Sequence, residues 1–151
     1  MGKIQLKVKR LDGEDTPMPS YAKPGDAGLD LRAAIDDNIL DIDPGRTALV
    51  GTGTAVEIPE GHFGMVVPRS GIARHRSLAP INSPGIIDSG YRGEVMVPLH
   101  NYNQHIAFGV IKGERIAQLV VVPYAECDVV EADELTDSER GDGGFGSSGR
   151  M

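Results

Sequence analysis

The chain has 151 residues, 40% hydrophobic and 25% charged, enough for one soluble globular domain with its own core. A formal net charge of −7 excludes the broad basic footprint of a protein that binds a nucleic-acid polymer, but not a small anion held by local arginines. The lone Cys127 excludes an internal disulfide and points to a reducing cytoplasm.

At the N-terminus, Ile4, Leu6 and Val8 alternate with Lys3, Gln5, Lys7 and Lys9, the period-2 pattern of a half-buried strand. The stretch reads as neither a signal peptide nor a membrane segment, and Leu6 stands where a myristoylation signal needs a hydroxyl. Short apolar runs follow: "TALVGTGTAVEI", "HFGMVVP", "GEVMVPLHN", "HIAFGVI" and "RIAQLVVVPYAECDVV", each bounded by turn residues. Val and Ile together number 25 against 10 Leu, and β-branched side chains favour strands. One short helix is expected over 71–75, with Ser70 as its N-cap. Residues 131–139, "EADELTDSE", read as a polar connector. The expectation is an all-β sandwich or barrel of short strands over residues 1–136, followed by a flexible arm over 137–151.

Three stretches could carry chemistry. In "RGDGGFGSSGR", Gly141, Gly143 and Gly146 satisfy G-x-G-x-x-G, yet no helix can follow, so the dinucleotide reading fails. The glycines still leave backbone N–H groups open to an anion, with Arg140, Ser147 and Ser148 as donors and Phe145 to stack on a flat ring. Composition alone also describes a disordered polar tail. In "PRSGIARHR", Arg69, Ser70 and Gly71 bring a guanidinium, a hydroxyl and free N–H groups to a helix start. The alternative is a surface turn with solvated arginines. In "NSPGIIDSGYRGEVMV", Ser89-Gly90 reads as a tight hairpin turn between two apolar strands. Asp88 beside it is either a general base in apolar surroundings or a cap on its own turn. His62, His75, His100 and His105 show no ligand spacing, and no G-x-S-x-G elbow is present.

Together, "DAGLDLRA" (26–33), "PRSGIA" (68–73), "NSPGIIDSGYRG" (82–93), "GERIAQL" (113–119) and "RGDGGFGSSG" resemble the five ordered motifs of the trimeric deoxyuridine triphosphatases. The resemblance implies a jelly-roll-like homotrimer that cleaves dUTP to dUMP and pyrophosphate, limiting uracil in DNA and supplying dUMP for thymidylate. It implies that Asp88 takes a proton from the attacking water. Asn82, the main chain of Ile86, Ile87 and Asp88, and Met96 would line a uracil pocket. Tyr91 would pack under the deoxyribose, and Arg69, Ser70, Gly71 and Gln118 would hold the phosphates. Asp30 would orient waters on Mg²⁺ chelated by the substrate. Phe145, with Arg140, Gly146 and Ser147, would close over the nucleotide in a neighbour's site. Two positions depart from the family: Ser77 stands where glycine is common, and Pro80 where a strand residue is usual, which suggests an edge or bulge there. A dCTP deaminase on the same architecture, or a nucleotide sensor without turnover, are the alternative readings.

Overall fold

In the computed structural model, which describes residues 2–11 and 15–144, the punctuated apolar runs become short antiparallel strands. In chain order these are β1 (Lys7–Arg10), β2 (Leu29–Arg32), β3 (Ile39–Ile42), β4 (Thr47–Glu57) and β5 (His62–Val67). Helix α1 (Ser70–Arg76) comes next, then β6 (Leu78–Pro80), β7 (Gly85–Ile87), β8 (Glu94–Asn101), β9 (Phe108–Ile111) and β10 (Arg115–Pro123). Two four-stranded sheets result, ordered β1-β4-β8-β6 and β2-β10-β5-β7, with β3 and β9 as a separate ribbon. The fold is the expected all-β, jelly-roll-like sandwich. No helix among the described residues is long and apolar enough to cross a membrane.

Strand β8 shows how sequence period becomes a packed layer. Val95, Val97, Leu99 and Asn101 are buried, while Glu94, Met96, Pro98 and His100 alternate on the outer face. With Val50 and Leu78 they meet Leu31, Val66, Ile116 and Leu119 of the other sheet in one hydrophobic cluster. Asn101 is fully buried because it is fully bonded: Nδ2 donates to the carbonyls of Ile42 and Ile106 (2.9 Å each), and Oδ1 accepts from the Asn103 amide. It ties β3, β8 and the 103–106 loop together.

The stretch around Asp88 is built differently from the expected hairpin. β7 pairs with β5 in one sheet, and β8 pairs with β4 and β6 in the other. Ser89-Gly90 therefore lies in a turn that crosses between sheets, closed by the Tyr91 amide donating to the Asp88 carbonyl at 3.1 Å. The turn residues were legible, but their partner strands were set by packing.

The helix also starts one residue earlier than expected. Arg69, not Ser70, is its N-cap, in extended conformation and with no side-chain cap bond, and Ser70 is the first helical residue. At the other end Ser77 adopts φ 55° and ψ 28°, the one non-glycine residue at positive φ among those described. This left-handed C-cap explains why glycine suits that position: a Cβ there costs about 1–2 kcal/mol. Glycine's extra unfolded-state entropy offsets part of that, so Ser77→Gly should stabilise the fold by ~0.5–1 kcal/mol, read as a rise of about 3 °C in Tm. Pro80 closes the edge strand β6, as expected of a proline in a sheet.

Candidate active site

The first cluster gathers at one end of the β2-β10-β5 layer. Pairing sets Gln118 opposite Asp30 on one side and opposite Val67 on the other, two residues before Arg69. A bulge in β10 helps: Ile116 and Ala117 both turn into the core, which leaves Arg115 on the side of Asp30. The Asp30 carboxylate, its side chain only 9% exposed, lies between two guanidiniums, with Arg69 Nε at 2.8 Å from Oδ1 and Arg115 Nη1 at 3.1 Å from Oδ2. Gln118 Nε2 donates to the Pro68 carbonyl at 2.9 Å, and its Oε1 rests where a Cβ on Gly28 would stand. Together these line an open cleft of about 370 Å³ bounded by Asp26, Gly28, Asp30, Arg69, Ser70 and Gln118. Gly71 faces a neighbouring hollow, which shares Arg69 and also contains Arg76 and Arg115. Pre-aligned guanidiniums beside a polar cleft suit a phosphate chain.

The second cluster surrounds a hollow of about 240 Å³ lined by Ile86, Ile87, Asp88, Tyr91, Glu94, Val95 and Met96. Ile86 and Met96 are outward positions of β7 and β8, leaving apolar side chains open to a flat ligand. Tyr91 Oη donates to the Glu94 carbonyl at 2.9 Å, which lays its ring across Gly93. Asp88 is exposed at the rim, without the apolar enclosure expected from its sequence neighbours. Asn82 does not line this hollow; its amide packs over Gly85 at the start of β7.

The register measures how far apart the clusters lie in one chain. Ile87 pairs with Gly64, so Asp88 falls level with Phe63, six residues before Arg69 along an extended path. At about 3.3 Å per residue the separation is roughly 20 Å. No described residue lines both hollows.

Beyond β10 the chain carries no further strand or helix among the described residues, and Val129, Val130 and Leu135 are 91%, 83% and 88% exposed. Arg140 Nε donates to the Gly143 carbonyl within a local turn, away from either cluster's lining residues. Phe145, Gly146 and Ser147 lie outside the described residues. Among the described residues no group of three or more His, Cys, Asp or Glu could hold a metal ion. A cation carried by a phosphate chain still fits the first cluster, because a carboxylate offers about four acceptor positions and Asp30 spends two on arginines. Sequence reasoning missed Arg115, Gly28 and Glu94. Each sat inside or beside a quoted motif, but its role appears only through a partner far away in sequence.

A jelly-roll-like sandwich with an arginine-lined cleft and a separate apolar hollow edged by a carboxylate defines a protein built to handle a small anionic ligand with a flat apolar part. The dUTPase family model matches residues 14–149, and the chain belongs to the dUTPase family. It is 46% identical over 148 residues to the deoxyuridine 5′-triphosphate nucleotidohydrolase of Thermobifida fusca (strain YX), covering 98% of this chain and 80% of that one. The Staphylococcus bacteriophage 80alpha dUTPase, solved with dUPNHPP, superposes with a TM-score of 0.87 at 32% identity, covering 97% of this chain and 99% of that one. A mutant dUTPase from phage phi11 of S. aureus, whose structure details the coordination of a structural Mg(II) ion, gives 0.77 at 26% identity, covering 87% and 98%.

Proposed function

We propose that this protein hydrolyses dUTP to dUMP and pyrophosphate in the cytoplasm, at sites shared between the protomers of a homotrimer. The reaction keeps uracil out of DNA and supplies dUMP for thymidylate synthesis. The observation that carries the reading is the Arg69–Asp30–Arg115 cluster beside Gln118, which supplies fixed positive charge in a chain that is acidic overall.

Water attacks the α-phosphorus, forming a new P–O bond while the bond to the bridging oxygen breaks and pyrophosphate leaves. Asp88 accepts the water's proton. Arg69, Ser70, Gly71 and Gln118 hold the phosphates in line, the main contribution a protein makes to phosphoryl transfer. Mg²⁺ chelated by the triphosphate would supply further charge neutralisation, and Asp30 would orient its waters. The main chain of Ile86, Ile87 and Asp88, with Met96 beside it and Asn82 acting from the adjoining start of β7, reads uracil: polarity refuses cytosine and sterics refuse a 5-methyl group. Tyr91 beneath the sugar excludes a 2′-hydroxyl. The arm, through Arg140, Phe145, Gly146 and Ser147, closes over the bound nucleotide.

The geometry supports sharing between protomers. With Asp88 and Arg69 roughly 20 Å apart along one chain, a neighbour's cleft completes each Asp88 hollow in this reading. The exposed Val129, Val130 and Leu135 fit a C-terminal segment that leaves its own domain for another.

The test is purified protein with Mg²⁺ and, in turn, dUTP, dTTP, dCTP and UTP. Pyrophosphate should appear from dUTP, with dCTP slower by about a thousandfold or more. Ammonia from dCTP would instead indicate a deaminase, and tight binding without product a sensor.

A further inference from the structure

The wall of the nucleoside hollow is held by a device in the neighbouring strand. Between Gly51, opposite Met96, and Ala55, opposite Glu94, β4 carries more residues than β8, so the two strands part at a bulge. Its polar groups are filled from β8. Thr52 Oγ1 donates to the Val95 carbonyl at 2.7 Å, and the Gly53 amide donates to Glu94 Oε1 at 2.7 Å. Glu94 occupies an outward position, yet its carboxylate folds back over Gly51, where a Cβ would overlap Oε1. Gly53 needs its own freedom, with φ at 64° and Thr16 packed against it. The same Glu94 accepts the Tyr91 hydroxyl on its main-chain carbonyl at 2.9 Å, and Gly93 leaves the space in which the ring lies.

We propose that Glu94 is a positioning residue for sugar selection: its carboxylate, anchored on the Gly53 amide in the bulge, fixes the carbonyl that holds the Tyr91 ring. This rests on the reading that Tyr91 packs under the deoxyribose. A ring so tethered presents one face at one depth. A ring released from the carbonyl can retreat and admit a 2′-hydroxyl. Glu94 also lines the hollow, but its carboxylate is turned to the Gly53 amide, so its loss acts on discrimination between sugars more than on chemistry at phosphorus.

The experiment compares kcat/KM for dUTP and UTP in wild type, Glu94→Ala, Glu94→Gln, Gly93→Ala and Tyr91→Ala. Glu94→Ala should lower the dUTP-to-UTP ratio about tenfold, mostly through a lower KM for UTP. Glu94→Gln keeps an Oε1 acceptor for the Gly53 amide and should restore most of the ratio. Should Glu94→Ala fail to fold, Gly93→Ala makes the same test from the other side, because its Cβ would stand 2.5 Å from the Tyr91 hydroxyl and displace the ring. If Tyr91→Ala relaxes the ratio while Glu94→Ala and Gly93→Ala keep it at the wild-type value, the inference falls and the reading of Tyr91 stands. If Tyr91→Ala itself keeps the ratio, that reading falls and the inference with it. A drop in Tm with an unchanged ratio counts against positioning.

Discussion

Asp88→Asn should bind nucleotide as well as wild type and turn it over about a thousandfold more slowly. The substitution keeps the size and shape of a side chain exposed at the rim of its hollow, so neither packing nor the 88–91 turn should suffer. What it removes is a proton acceptor. An amide oxygen is too weak a base to take the water's proton as the P–O bond forms, and a thousandfold loss lies within the usual range for a positioned general base. Affinity for a non-hydrolysable uracil nucleotide, by equilibrium titration, should be unchanged, because in the proposed reading the Asp88 side chain holds none of uracil, sugar or phosphates and its main chain is kept. Single-turnover kinetics with Mg²⁺ then isolates the chemical step. A near-normal rate would remove Asp88 as the base and return it to the role of a residue that only shapes its own turn.

The second expected result uses two inactive proteins to make an active one. Arg69→Ala and Asp88→Asn should each be nearly inactive alone. Asp30 keeps Arg115 when Arg69 is removed, so the buried carboxylate stays paired and the fold survives. Co-expressed with different tags and purified through both, every mixed ring of three contains one junction where an intact Asp88 faces an intact Arg69. Such samples should recover about one third of wild-type activity, the fraction set by threefold symmetry. If both residues served the same chain's site, mixing would add nothing to the two residual activities. The roughly 20 Å of strand between them makes the first outcome the expected one.

How much of this was legible in the residues varies by element. The period of β8 and the aliphatic choice of β10 announce strands, because a pleated backbone writes its two faces into alternate positions. The family resemblance marks Ser77 as a departure from glycine, but the reason, a left-handed helix cap, needs the backbone angles. The Ser89-Gly90 turn reads as a hairpin because adjacent strands usually pair, whereas here the chain crosses the sandwich. Ser70 suits a cap by its hydroxyl, yet Arg69 holds the extended conformation that starts the helix. Short hydroxylated residues before a helix do not fix its first turn to the residue.

The chain by itself determined its class, its motifs and the chemical groups on offer, since alternation, turn residues and side-chain type are local properties. Only the tertiary structure decided that Asp30 grips two arginines, that Glu94 reaches into a bulge of β4, and that Asp88 and the Arg69–Asp30–Arg115 cluster stand toward opposite ends of β5. Those facts depend on register and sheet pairing between segments distant in sequence, where a shift of one residue would turn every side chain to the other face.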